Sequence, residues 1–159
     1  MVASVGGPEL APRFAPVLVE ATTSGGDRVV AVVAVSSEAD LIAVRQALRA
    51  QAEHAGLGLV DMTKLVTAGS ELTRNILTYA GTGRVLVELV HLEERRGVRA
   101  VFADSGPGIE DIALAMTDGF STRGSLGLGL PGARRLVDDM AIDSEPGTGT
   151  VVEITKMGR

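Results

Sequence analysis

The sequence has no cysteine, no tryptophan, one tyrosine and three phenylalanines in 159 residues. Without cysteine there is no disulfide scaffold, thiolate zinc site, iron–sulfur cluster or thiol nucleophile. Imidazole comes only from His54 and His91, which are not at metal-ligand spacing. Lysine is nearly missing too: Lys64 and Lys156 stand against thirteen arginines. Any phosphate chemistry must therefore work almost without lysine. A formal charge of −5 argues against a dedicated nucleic-acid binder, which carries a basic patch. No segment reaches the roughly 18–20 apolar residues of a membrane helix, and the longest apolar run, Val29 to Val35, is strand-sized. The N-terminus has no basic start followed by an apolar stretch, so no secretion signal is expected and the cytoplasm is the expected compartment.

What is present suffices for a core. Hydrophobic residues make up 45% of the chain and charged residues 22%, a balance that suits one globular domain at this length. Residues 1–27 hold Pro8, Pro12, Pro16 and two Gly-Gly pairs and read as a flexible tail, with Val17, Leu18 and Val19 available for a short apolar contact. A single domain is expected over residues 28–159. Arg28 to Ser36 is short and β-branched, as in a buried strand. Ser37 to Asp40 reads as a helix start, and Leu41, Ile42, Val44, Ala47 and Leu48 recur at helical spacing toward Ala55. A second helix is expected from an N-cap at Asp61 through Ala80, with Met62, Leu65, Val66, Gly69, Leu72, Ile76 and Ala80 on one face. Arg84–Leu92 and Val98–Ala103 read as antiparallel strands joined across Glu93–Gly97. Seven glycines and two prolines fall between Asp104 and Gly132. A helix over Ala133–Asp139 and two strands, Met140–Ser144 and Thr150–Lys156, close the chain. The order implies an α/β two-layer sandwich, helices on one face of a mixed, mostly antiparallel sheet.

Three patterns carry chemistry. Glu71 and Asn75 are one helical turn apart, beside the apolar stripe. A carboxylate can act as a general base and an amide oxygen can ligate a hard cation such as Mg²⁺; alone, the pair also reads as a solvated helix edge. Asp104-Ser-Gly106-Pro-Gly108 follows a strand, where a carboxylate can accept from a ligand amine and glycines allow close approach; alone, it also reads as an ordinary turn. Gly124 to Gly132 runs into a helix, and helix N-termini bind phosphate. Residues 127–132 fit G-x-G-x-x-G, but no buried strand precedes them, so the dinucleotide-fold reading fails. No Walker P-loop sequence is present.

Taken in order, Glu71-Leu-Thr-Arg-Asn-Ile, Asp104-Ser-Gly-Pro-Gly-Ile, Asp118-Gly-Phe-Ser-Thr and Gly127-Leu-Gly-Leu-Pro-Gly resemble the gyrase, Hsp90, histidine-kinase and MutL ATPase superfamily. Within it the chain is most similar to the anti-sigma-factor serine/threonine kinases, the stressosome switch kinases in particular, over roughly Ser36 to Lys156. The resemblance implies a Bergerat ATP-binding fold with ATP and Mg²⁺ as cofactors. It implies Glu71 as catalytic base toward a partner's Ser or Thr hydroxyl and Asn75 as the Mg²⁺ ligand. Asp104 would accept the adenine amine, with Gly106 and Gly108 lining the base pocket and Thr150 placing a hydroxyl nearby. Residues from about Glu110 to Ser125 match a flexible lid, and Gly127 and Gly129 a phosphate-cradling turn. Arg123 either approaches the γ-phosphate or is a solvated loop arginine. Tyr79 departs from the residues many members carry there and reads as a packing residue.

The expected function is an ATP- and Mg²⁺-dependent protein serine/threonine kinase acting on a STAS-domain antagonist in a partner-switching stress or sigma-factor pathway. A PP2C-type phosphatase or a sigma factor would be a further partner; nucleic acid and membrane are not expected as partners. A non-catalytic, nucleotide-gated binding module is the alternative, and a free-standing ATPase is a weaker third reading, against which the lack of a transducer domain counts.

Overall fold

A computed structural model describes residues 30–117 and 129–159. The expected N-terminal tail, residues 1–27, lies outside the described residues. Along the chain come β1 (Val30–Val35), α1 (Ala39–His54), α2 (Leu59–Asn75), a π-helical turn (Ile76–Ala80), β2 (Gly83–Leu92) and β3 (Arg95–Asp104). Then follow α3 (Ile112–Ala115), α4 (Gly129–Leu136), β4 (Asp139–Glu145) and β5 (Gly149–Met157). The strands form one sheet in the order β1-β2-β3-β5-β4. Every pairing among them is antiparallel, so the sheet is not mixed among the described residues.

Side chains alternate across a strand, and here one set faces the helices. Val85, Val87, Val98, Ala100, Phe102, Val152 and Ile154 join Val44 and Leu48 of α1 and Leu65 and Leu72 of α2 in one core. The opposite parity puts Glu88, Arg99 and Glu153 side by side on the other sheet face, where Arg99 pairs with both carboxylates. Burial pulls the Arg99 guanidinium toward its neutral form, yet the two carboxylates outweigh it and hold the group above its ordinary range.

The boundaries show where local rules gave way. Helix α1 starts as expected, anchored by Asp40, whose Oδ2 accepts the Ser36 and Ser37 backbone N–H groups at 2.8 and 3.0 Å. Those amides hold the Asp40 carboxyl below its ordinary value. Helix α2 starts earlier than expected. Gly58, in an extended conformation, is the N-cap, and Asp61 lies in the first turn, where its charge complements the helix dipole. The β2–β3 connection is tighter than a Glu93–Gly97 loop. Glu93 takes a left-handed conformation (φ 56°) and both strands run ten residues, to Leu92 and from Arg95. Helix α4 starts at Gly129 rather than Ala133, because Pro131 falls in its first turn, where no intrahelical N–H bond is lost.

Candidate active site

Helix α2 is seated deep against its neighbours. A Cβ on Gly69 would collide with Leu48 of α1 and touch the Phe102 ring of β3 at 3.4 Å, so only glycine allows this approach. Ser70 ties the two helices: its Oγ donates to the Val66 carbonyl at 2.7 Å and accepts from Arg45 Nε at 3.0 Å. Glu71 is buried on another side of the same helix. It is 6% exposed, which removes the solvated-edge reading. Its Oε1 accepts a hydrogen bond from Arg74 Nη1 at 2.8 Å. Asn75, one turn on, is half-buried and ends the α-helix. The π-helical turn then widens the backbone, a feature found often at functional sites, and Gly81, at φ 84°, stops it. Tyr79 is 45% exposed on that turn, so it packs, if at all, at the surface and not in the core.

Asp104 ends β3 directly opposite Thr150 of β5. Its Oδ1 accepts the Gly106 backbone N–H at 2.9 Å. Burial raises the Asp104 carboxyl above its ordinary value, and the Gly106 and Thr150 backbone amides pull part of that back. The chain then turns against the end of α2: a Cβ on Gly106 would lie 2.6 Å from the Ala80 Cβ. Gly108 has φ 76°, and a Cβ there would strike the Glu145 carbonyl. Both glycines are thus demanded by backbone packing. That packing sets the Asp104 loop between the π-helical turn and the β4–β5 turn.

Ser144 fixes this loop, and no sequence signal marked it. It is fully buried, in β4. Its hydroxyl donates to the Gly149 carbonyl at 3.0 Å and accepts from the Ile109 backbone N–H at 2.8 Å. The Thr150 hydroxyl lies 2.8 Å from it and completes its complement of bonds. Nearby, the Gly147 N–H donates to the Pro107 carbonyl at 2.8 Å.

The third motif is described in part. Gly129 opens α4 at φ 48°, and Leu130 and Ala133 are buried on the side that packs against α2. Gly127 and Arg123 lie outside the described residues, as does the second half of the expected lid. The described start of that lid is not loop throughout. Ile112–Ala115 form α3, capped by Asp111, whose Oδ1 accepts the Leu114 N–H at 3.0 Å, with Ile112 6% exposed. The fold therefore brings Asp104, Gly106, Gly108 and Thr150 together beside the π-helical turn that follows Asn75. The two lysines are elsewhere engaged or exposed. Lys156 is buried, with its Nζ 3.4 Å from Asp138 and 3.5 Å from Asp61, and Lys64 is exposed on α2.

A chain carrying Glu71, Asn75 and a half-buried Asp104 on this fold has relatives. The histidine kinase-like ATPase domain matches residues 34–156. The serine/threonine-protein kinase RsbT of Bacillus subtilis (strain 168) is 44% identical over 124 residues, which are 78% of this chain and 93% of that protein. The anti-sigma F factor of Caldanaerobacter subterraneus subsp. tengcongensis is 29% identical over 102 residues, 60% of this chain and 70% of its own length. The anti-sigma F factor of Bacillus licheniformis is 32% identical over 103 residues, 60% of this chain and 69% of its own. With the match running from the end of β1 nearly to the end of β5, this chain belongs to the histidine kinase-like ATPase domain family.

Proposed function

We propose that this chain is an ATP-dependent protein serine/threonine kinase that phosphorylates a STAS-domain antagonist in a partner-switching pathway. The observation that carries the reading is Glu71. A carboxylate only 6% exposed, one helical turn from a half-buried asparagine at the end of its helix, is placed for chemistry rather than solubility. The family match and the 44% identity to RsbT support the same activity.

Each residue then has a role. Asp104, whose Oδ1 accepts the Gly106 N–H, accepts the adenine amine as well, and Thr150 stands beside it. The backbone N–H groups that begin α4 at Gly129 face phosphate, as helix N-termini do. Asn75, half-buried at the end of α2, offers an amide oxygen, a hard donor that suits Mg²⁺ shared with ATP phosphates. Bound Mg·ATP supplies the transferable phosphoryl group and neutralises its charge. Glu71 takes the proton from the acceptor hydroxyl, and burial keeps bulk water from competing for it. Arg123, if drawn toward the γ-phosphate, would add the one cation of the lid segment.

Glu71→Gln tests the assignment. The variant keeps nucleotide affinity within twofold and loses transfer by at least about a hundredfold, the lower end of a general-base contribution. Transfer at the wild-type rate would remove Glu71 from the chemistry. A protein that only sequesters its partner would be insensitive to this change.

A further inference from the structure

We infer that Arg74 is a positioning residue for the transfer, aiming the Glu71 carboxylate; this rests on Glu71 being the base. The two side chains form an i, i+3 ion pair, Arg74 Nη1 to Glu71 Oε1 at 2.8 Å, with Glu71 7% and Arg74 49% exposed. The two ends of the pair are therefore in different environments. A carboxylate this buried is costly without a cation, and Arg74 is the cation that it pairs with among the described residues. Arg74 has no other acidic residue at helical spacing: the positions four before and four after it are Ser70 and Thr78. A solvated helix arginine would lie out in water, whereas this one folds back over the base.

The two carboxylate oxygens are not equivalent. Oε1 is held by Arg74, while Oε2 has no hydrogen-bond partner among the described residues and is not among the polar atoms sealed from water. The guanidinium thus fixes the carboxylate by one oxygen and leaves the other open to a proton. In the transfer, the acceptor's hydroxyl oxygen forms a bond to the γ-phosphorus, the bond from that phosphorus to the ADP oxygen breaks, and the hydroxyl proton passes to Oε2. A base must sit within hydrogen-bond reach of that proton, and a displacement of about 1 Å can cost about a hundredfold.

The test measures transfer from γ-labelled ATP to a purified STAS-domain antagonist, with nucleotide affinity read separately by a fluorescent ATP analogue. Arg74→Met is expected to lower kcat at least about tenfold, with the KM for ATP and the analogue affinity within twofold of wild type. Arg74→Lys restores kcat to within about threefold, because an ammonium can still hold Oε1 as a point charge. Arg74→Met at the wild-type kcat, while Glu71→Gln is inactive, would overturn the positioning role and leave the base assignment standing. An equal loss in Arg74→Met and Arg74→Lys that appears in KM, or in melting temperature, would overturn it as well, since both are signs of a structural part only. Full transfer by Glu71→Gln would remove the base assignment and this inference with it.

Discussion

Replacing Asp104 by Asn separates binding from stability at a single atom. The amide keeps an oxygen for the Gly106 N–H, which now reaches Oδ1 at 2.9 Å, but turns a donor toward a ligand amine that is itself a donor. A hydrogen bond with an ionised partner contributes about 1.5–3 kcal/mol. At about 1.4 kcal/mol per factor of ten, ATP affinity should fall by about 10- to 150-fold. The apo protein should not lose stability. Burial raises the Asp104 carboxyl, so its charged form is the one the fold penalises, and the substitution removes that penalty. The sign of the pH effect follows. The folded state holds this proton more tightly than the unfolded chain, so the Asp104 contribution to stability improves on acidification and worsens as pH rises through the raised value. ATP affinity moves the other way: it falls on acidification, starting above the ordinary aspartate range, and Asp104→Asn is flat across that window. Calorimetric titration with ATP and GTP, alongside thermal melts, reads all of this. Asp104→Asn should also narrow the preference for ATP over GTP, whose base carries an acceptor where adenine carries the amine. Affinity within twofold of wild type with an unchanged ATP preference would refute the placement of adenine at Asp104.

Other changes have distinct signatures. Gly106→Ala puts a methyl 2.6 Å from the Ala80 Cβ, an overpacking that costs about 1–3 kcal/mol; displacement of the Asp104 loop should weaken ATP binding at least about tenfold, read by titration. Ser144→Ala leaves the half-buried Ile109 N–H without its acceptor and should lower unfolding free energy by about 1–2 kcal/mol in urea melts, with weaker nucleotide binding. Lys156→Met leaves Asp61 and Asp138 without their shared cation. Asp138 is half in water, so the loss should be about 1–3 kcal/mol, while ATP affinity, measured below the melting range, stays within twofold.

Much of this was legible because local rules and packing agree at the relevant residues. The glycines at 106 and 108 announce a tight backbone approach, and the structure shows that Ala80 and Glu145 make that demand. Glu71 and Asn75 share a face through helical period alone, whatever surrounds them. The burial of Glu71 was not legible, because it depends on which elements pack around α2, and helical spacing does not say that. Ser144 was invisible for a similar reason: a serine in a strand looks exposed until Ile109, Gly149 and Thr150 converge on it. The π-helical turn after Asn75 also escaped, since its residues fit an α-helix equally well and only the stop at Gly81 shapes it. The start of β3 was read late, at Val98 and not Arg95, because Glu93, a non-glycine residue, takes the left-handed turn position that sequence reasoning reserves for glycine or asparagine.

The central claim is transfer of phosphate to a protein hydroxyl, and the most direct measurement is the chemical nature of the labelled product. Incubation with γ-labelled ATP, Mg²⁺ and a purified STAS-domain antagonist should label the antagonist on serine or threonine. The phosphoester should survive acid and be lost in alkali, and the label should be absent with Glu71→Gln. An acid-labile label on histidine, or hydrolysis of ATP with no labelled partner at any wild-type concentration, would contradict the account.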